Sequence, residues 1–140
     1  MNVSSIQITK LPRIEDCRGN LSFIEGDRHV PFRIERTYCI YDVPGGQMRA
    51  GHAYRTQQEF IVALSGSFDI VFTDGNGVKT VTLNRSYNGV YVPPMMWRQL
   101  TNFSTNSVAL VLASMPFDES DYIRDFGEYE RLLHEKNDHI

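Results

Sequence analysis

His52 and Tyr54 stand two residues apart, with Glu59 shortly after them and glycines at positions 46 and 66. The spacing reads G-x5-H-x-Y-x4-E-x6-G. Residues two apart on a strand project from one face, so the imidazole and the phenol would share one space. A histidine titrates near neutrality and can take or give a proton at cellular pH. A tyrosine, with a pKa of about 10, is a proton donor or a hydrogen-bond clamp. Together they could move a proton between neighbouring atoms of a small substrate. An isolated pair of this kind would be ordinary strand surface. The flanking glycines and Glu59 at these intervals mark it as a candidate site.

The same intervals resemble the first signature of the cupin barrels, with Tyr54 where a second histidine ligand would stand. The run Pro93-Pro94-Met95-Met96-Trp97-Arg98, with Asn102 after it, resembles the partner signature P-x-G-x-x-H-x3-N. Met95 replaces its glycine and Arg98 its histidine. Metal binding there needs imidazole or carboxylate groups, and an arginine stays charged. Two of four expected ligands are gone. The other histidines are His29, in a turn-like segment, and His134 and His139, in the tail. Neither a metal nor a cofactor is expected.

Arginines stand where an anion would need them. Guanidinium forks suit phosphate oxygens, and Arg18, Arg36, Arg49 and Arg98 are the candidates. Arg33, Arg55 and Arg85 read as solvated surface charges. Tyr38 shares a strand face with Arg36, and Trp97 neighbours Arg98. The expected substrate-binding set is therefore Arg18, Arg36, Tyr38, Arg49, Glu59, Trp97 and Arg98, around catalytic His52 and Tyr54.

Short alternating segments between turn residues must position these groups, which is the pattern of an all-β barrel or sandwich. Strands are expected over 21–25, 33–42, 59–64, 68–72, 78–83, 89–92 and 108–113, with His52 and Tyr54 on a further one. Phe68, Ile70 and Phe72 fall on one face. The 108–113 strand is apolar on both faces and so central. Thr73-Asp74-Gly75-Asn76-Gly77 is a hairpin turn. After Asp118-Glu119-Ser120-Asp121 the chain reads as a helical tail over 122–134, with acidic residues at its start and Arg131 and His134 near its end. Gly127 is expected to break it in two. Residues 1–140 read as one domain.

A chain of 140 residues can bury a real core. It is 41% hydrophobic with eight Phe and seven Tyr, which places it among globular proteins. A net charge of -3 argues against a general nucleic-acid binder. No apolar run approaches the roughly 20 residues of a membrane helix. Met1 to Lys10 lacks the pattern of a secretory signal. Cys17 and Cys39 suit a reduced, cytoplasmic chain, and both read as small buried residues. Val3, Ile6 and Ile8 are β-formers in a segment too short for its own core. Pairing with a partner's sheet edge, in a homodimer, would satisfy that segment.

Beyond the spacing, the chain resembles the dTDP-sugar 3,4-ketoisomerases of the FdtA/QdtA (WxcM-like) cupin family. The resemblance runs from about Asp16 to Tyr129. It rests on Asp16-Cys17-Arg18-Gly19-Asn20-Leu21, Pro31 to Tyr38, Arg49 with His52-Ala53, Leu64-Ser65-Gly66-Ser67, Asp74-Gly75, Trp97-Arg98, Val111-Leu112-Ala113-Ser114 and Asp121-Tyr122-Ile123-Arg124. It implies a metal-free, homodimeric cupin-type jelly-roll barrel with a short C-terminal helical tail, working in the cytoplasm. The implied substrate is a thymidine-diphosphate-linked 4-keto-6-deoxyhexose. The implied product is its 3-keto isomer, later aminated and placed in surface polysaccharide. The family's first active-site histidine falls on His52 and its second on Tyr54, a departure. The positions tied to the C4 epimer of the product fall on Arg18 and Arg98. Relatives differ at both, so the stereochemical outcome does not carry over. A sugar-nucleotide-binding cupin without turnover is the alternative that Tyr54 leaves open.

Overall fold

Alternation of apolar and polar side chains decides which strand faces look inward, and two sheets result. The computed structural model describes residues 2–138. Among them the strands are β1 (Ile8–Lys10), β2 (Arg13–Ile14), β3 (Leu21–Ser22), β4 (Arg36–Tyr41), β5 (Arg49–Tyr54), β6 (Glu59–Ser65), β7 (Phe68–Thr73), β8 (Val78–Leu83), β9 (Asn88–Val92), β10 (Trp97–Thr101), β11 (Val108–Ala113) and β12 (Tyr122–Ile123). One helix, α1 (Phe126–Asp138), closes the order. The first sheet runs β1-β9-β6-β11-β4 and the second β12-β5-β10-β7-β8, with β2-β3 as a separate ribbon. The strand pairs within these sheets are antiparallel. The two sheets form a jelly-roll sandwich of the cupin type.

Between the sheets, Phe68, Ile70 and Phe72 of β7 meet Ile61, Val90, Val92 and Val111 of the first sheet. Each of these side chains is almost fully buried, worth roughly 1.5–3 kcal/mol apiece in area removed from water. That core fills one part of the barrel and leaves the part near β4 and β5 to polar groups. β11 lies between β6 and β4, as its two apolar faces require: Ala109 and Val111 face the inner core, and Leu112 joins Phe32, Phe60 and Val62 on the outer side. The 73–77 hairpin turns on Asp74, whose carboxylate accepts from the backbone N–H of Asn76, Gly77 and Val3. Gly66, between β6 and β7, has φ +66, and a Cβ there would lie 2.9 Å from the Ser107 Cα.

The structure corrects several expectations. The strand expected over 21–25 shrinks to Leu21–Ser22, and the one over 33–42 begins at Arg36. Cys17 and Cys39 are both exposed. Cys39 alternates with half-buried Tyr38 and Ile40 on β4, the edge strand of its sheet, so it points away from the interior. β1 pairs with β9 of its own chain, Ile8 opposite Val90, and stands at the edge of its sheet.

The tail differs most. Glu119–Asp121 is one 3-10 turn capped by Asp118, and Tyr122 and Ile123 then pair with Tyr54 and Ala53 of β5. The tertiary pairing overrides the helical reading of the acidic run. The helix starts only at Phe126, where the Asp125 carboxylate accepts from the Glu128 N–H as an N-cap. Gly127 sits in this first turn and does not break the helix. His134 lies within α1, and His139 lies outside the described residues. No helix among the described residues is long and apolar enough to cross a membrane.

Candidate active site

β5 carries the centre of the site. His52 and Tyr54 share the inward face, 6% and 2% exposed, with ring centroids 5.0 Å apart. Arg49 is three residues before His52, and a regular pleat would turn it outward. Against β10, however, Arg98 faces His52 while Leu100 faces Arg49. β5 thus holds one extra residue here, a bulge, and the bulge returns Arg49 to the cavity side.

Arg98, on β10, is the hub. Its Nε donates to His52 Nε2 at 3.1 Å, its Nη2 donates to Glu59 Oε1, and its guanidinium lies 4.7 Å from the Tyr54 ring centroid. The Arg98 and Glu59 side chains are 2% and 1% exposed. Glu59 Oε2 accepts from the Tyr38 hydroxyl at 2.8 Å and from Gln57 Nε2 at 2.7 Å, and Arg36 donates to Gln57 Oε1 at 3.3 Å. An arginine Nε always carries a hydrogen, so His52 Nε2 must present its lone pair and the imidazole proton sits on Nδ1.

This donor set does not fit the metal that a cupin barrel implies. The guanidinium fills one ligand position and engages both His52 and Glu59. A cation there would meet a fixed positive charge.

Burial raises the Tyr54 hydroxyl above the usual tyrosine range, and the charge of Arg98 pulls it partly back. The same two effects act on Tyr38, whose hydroxyl is also raised. Both are neutral phenols at physiological pH. Tyr38 spends its proton on Glu59. The buried Tyr54 hydroxyl lines the cavity, close enough to the Tyr38 and Tyr122 hydroxyls for each to act on its proton, but without a well-aligned hydrogen bond to either.

The cavity above this network has a volume of about 420 Å³ and takes lining residues from three segments. β4 gives Arg36 and Tyr38. β5 gives Arg49, His52 and Tyr54. The tail gives Phe117, Tyr122 and Arg124. A groove of about 610 Å³ on the outer face of the first sheet is larger, but no titratable side chain lines it, so size does not choose the site.

Of the expected residues, His52, Tyr54, Arg36, Tyr38 and Arg49 therefore meet at one cavity. Glu59 and Arg98 lie directly beneath it, bonded to its walls and to each other. Trp97 is turned the other way, packed with Ala53, Ile123 and Tyr129 under α1, because neighbours on a strand face opposite sides. Arg18 lies in the exposed β2–β3 loop, paired with Asp16 at 2.7 Å. Arg55, read as a solvated charge, instead binds the carbonyls of Ser120 and Tyr122 and the Glu128 carboxylate.

Sequence reasoning missed Gln57, Phe117, Tyr122 and Arg124. Tyr122 and Arg124 carry the two-residue spacing of a strand face, but the preceding acidic run resembles a helix start and hid it. The Tyr122 ring lies 4.5 Å from that of Tyr54 and 5.5 Å from that of His52, and the Arg124 guanidinium covers it at 4.0 Å.

Fold and site together define a cupin-type barrel with Tyr54 and Arg98 standing at two of the positions where metal-binding cupins carry histidine. The FdtA family profile, WxcM-like, C-terminal, matches residues 4–134, and the chain belongs to that family. A TDP-4-oxo-6-deoxy-alpha-D-glucose-3,4-oxoisomerase of Aneurinibacillus thermoaerophilus is 35% identical over 127 residues, 91% of each chain. A 3,4-ketoisomerase of Helicobacter canadensis is 35% identical with a TM-score of 0.90, over 93% of this chain and 98% of that one. QdtA, a sugar 3,4-ketoisomerase of Thermoanaerobacterium thermosaccharolyticum solved with TDP, is 32% identical with a TM-score of 0.92, over 96% and 98%.

Proposed function

We propose that this chain is a sugar-nucleotide 3,4-ketoisomerase, converting a dTDP-4-keto-6-deoxyhexose to its 3-keto isomer by acid/base proton transfer without a metal. One observation carries the reading. His52 and the Tyr54 hydroxyl face one cavity, and a buried Arg98–Glu59 pair sits behind both.

The reaction removes the C3 proton, passes through an enediolate, and delivers a proton to C4; the 3-hydroxyl loses its proton as the 4-oxygen gains one. His52 takes the C3 proton on Nε2, the nitrogen that Arg98 now engages. Turnover therefore requires Arg98 Nε to release it. Glu59 keeps the guanidinium in place and balances its charge, so an imidazolium can form beside it. Tyr54 gives its proton to C4, and the phenolate left behind faces Arg98. A positioned acid or base of this kind contributes typically ~10²–10⁴-fold in rate. Arg36 and Arg49 bring positive charge suited to a diphosphate to the mouth, where Arg124 is paired with Glu119 at 2.8 Å.

The same proposal places the enzyme in the cytoplasm, in deoxysugar supply for surface polysaccharide, as a homodimer. The apolar groove over Ile34, Leu64 and Leu110, with Leu64 49% exposed, supports pairing of two copies. Light scattering should give twice the chain mass, and a monomer at micromolar concentration counts against it. For the activity, calorimetry after chelator treatment should show thymidine diphosphate binding, and dTDP-4-keto-6-deoxyglucose should be converted. Tight nucleotide binding without any conversion would favour the binding-module reading that Tyr54 raises.

A further inference from the structure

The tail reaches the cavity through a strap, residues 117–124, held to the barrel by the β12–β5 pairing, by Arg55 and by one buried carboxylate that also reaches the cavity floor. Asp121 is 6% exposed. Its Oδ1 accepts from the Thr56 N–H at 2.9 Å and the Thr56 hydroxyl at 2.7 Å, and its Oδ2 accepts from the Gln57 N–H at 2.9 Å. Its carbonyl accepts from the Arg55 N–H. None of these atoms touches the cavity. What they fix does. The next residue is Tyr122, paired with Tyr54 across β12 and β5. Gln57 holds Glu59 and is held by Arg36. One carboxylate thus sets both the outer aromatic wall and the inner polar floor.

We infer that Asp121 is a positioning residue: it holds the strap closed, so that Phe117, Tyr122 and Arg124 stand where the nucleotide sugar binds. The inference rests on the ketoisomerase reading for the identity of the ligand. An amide at this position offers one acceptor oxygen in place of two. Asp121→Asn therefore forfeits the Gln57 bond even if it keeps both bonds to Thr56. A strap closed about a tenth of the time raises the apparent Kd about tenfold. Thr56→Val removes only the hydroxyl bond and should act in the same direction, more weakly.

The test is calorimetry with thymidine diphosphate on the wild type, Asp121→Asn, Thr56→Val, Tyr122→Ala and the double variant Asp121→Asn/Tyr122→Ala, with kcat and KM measured on each. The expected result is a Kd and KM about tenfold higher for Asp121→Asn, with kcat lowered by less than about threefold. Adding Asp121→Asn to Tyr122→Ala should then raise Kd by clearly less than the roughly tenfold it causes alone, because one of the strap's three wall residues is already gone. A lowered melting temperature with unchanged Kd in both Asp121→Asn and Thr56→Val overturns the inference, since it leaves only a structural role. So do fully additive effects on Kd. If the wild type binds no thymidine diphosphate, the ketoisomerase reading falls as well. A wild type that binds, beside an Asp121→Asn that binds equally well, sinks the positioning role alone.

Discussion

Replacing Glu59 by alanine should bring the fold close to its stability limit, and the structure shows why. The Glu59 carboxylate is the acceptor for three buried donors: Arg98 Nη2, the Tyr38 hydroxyl and Gln57 Nε2. Removing one partner of a buried ion pair costs roughly 3–5 kcal/mol. Each further donor left without an acceptor adds about 1–3 kcal/mol. The sum, about 5–11 kcal/mol, is comparable with the ~5–15 kcal/mol that holds a typical domain together. Water entering from the cavity should bring the value toward the lower end. Replacing both charges by apolar residues of similar size, Glu59→Leu with Arg98→Met, removes the uncompensated guanidinium. It should recover the ion-pair part of the loss, about 3–5 kcal/mol, while the Tyr38 and Gln57 donors stay without their acceptor. Urea denaturation with a common m-value is the assay. The double variant should refold cooperatively and bind nucleotide poorly. A Glu59→Ala chain within about 0.5 kcal/mol of wild type would refute the reasoning, because the network would then carry no strain when broken.

Alkaline pH should unfold the protein through its buried phenols. Tyr38 and Tyr54 are raised, and burial pushes Tyr129 up to about 12. Their protons are held more tightly in the folded chain than in the unfolded one. The stability they lend is complete below the unfolded tyrosine pKa of about 10 and is lost as pH rises past it. Melting temperatures should therefore be flat up to about pH 9 and fall steeply above about 10. A steady melting temperature across that range would contradict the burial. Gly66→Ala should cost at least ~1–2 kcal/mol, because it combines φ +66 with a Cβ 2.9 Å from the Ser107 Cα; denaturant melts check it, and a neutral change would argue against the turn as described. Phe72→Ala, deep between the sheets, should cost ~3–5 kcal/mol in the same melts.

Much of this was legible in the chain. Alternation located β7, since a period-2 pattern survives wherever one face is buried, while turn residues located the hairpin after it and an unbroken apolar run the central β11. The spacing of His52 and Tyr54 located the cavity. What escaped detection depends on contacts between distant segments. Two-residue strands such as β12 have no pattern of their own and exist because β5 offers an edge. The Arg49 bulge depends on its register against β10. Arg98 could be read as losing a metal ligand, but not as the partner of Glu59, 39 residues away. Trp97 and Arg98 were both assigned to substrate, although neighbours on one strand cannot share a face. Exposed Cys39 follows from β4 lying at a sheet edge, which composition does not reveal.

The central claim is that His52 is the base, and solvent exchange tests it most directly. The protein is incubated with dTDP-4-keto-6-deoxyglucose in deuterated water, and the C3 proton is followed by NMR for wild type, His52→Asn and Tyr54→Phe. The account predicts that His52→Asn abolishes C3 exchange, a loss of ~10²–10⁴-fold or more, while thymidine diphosphate affinity stays nearly unchanged. Tyr54→Phe should keep C3 exchange better than it keeps net isomerisation, because it lacks only the proton for C4. Wild-type rates of exchange and turnover in His52→Asn would contradict the account.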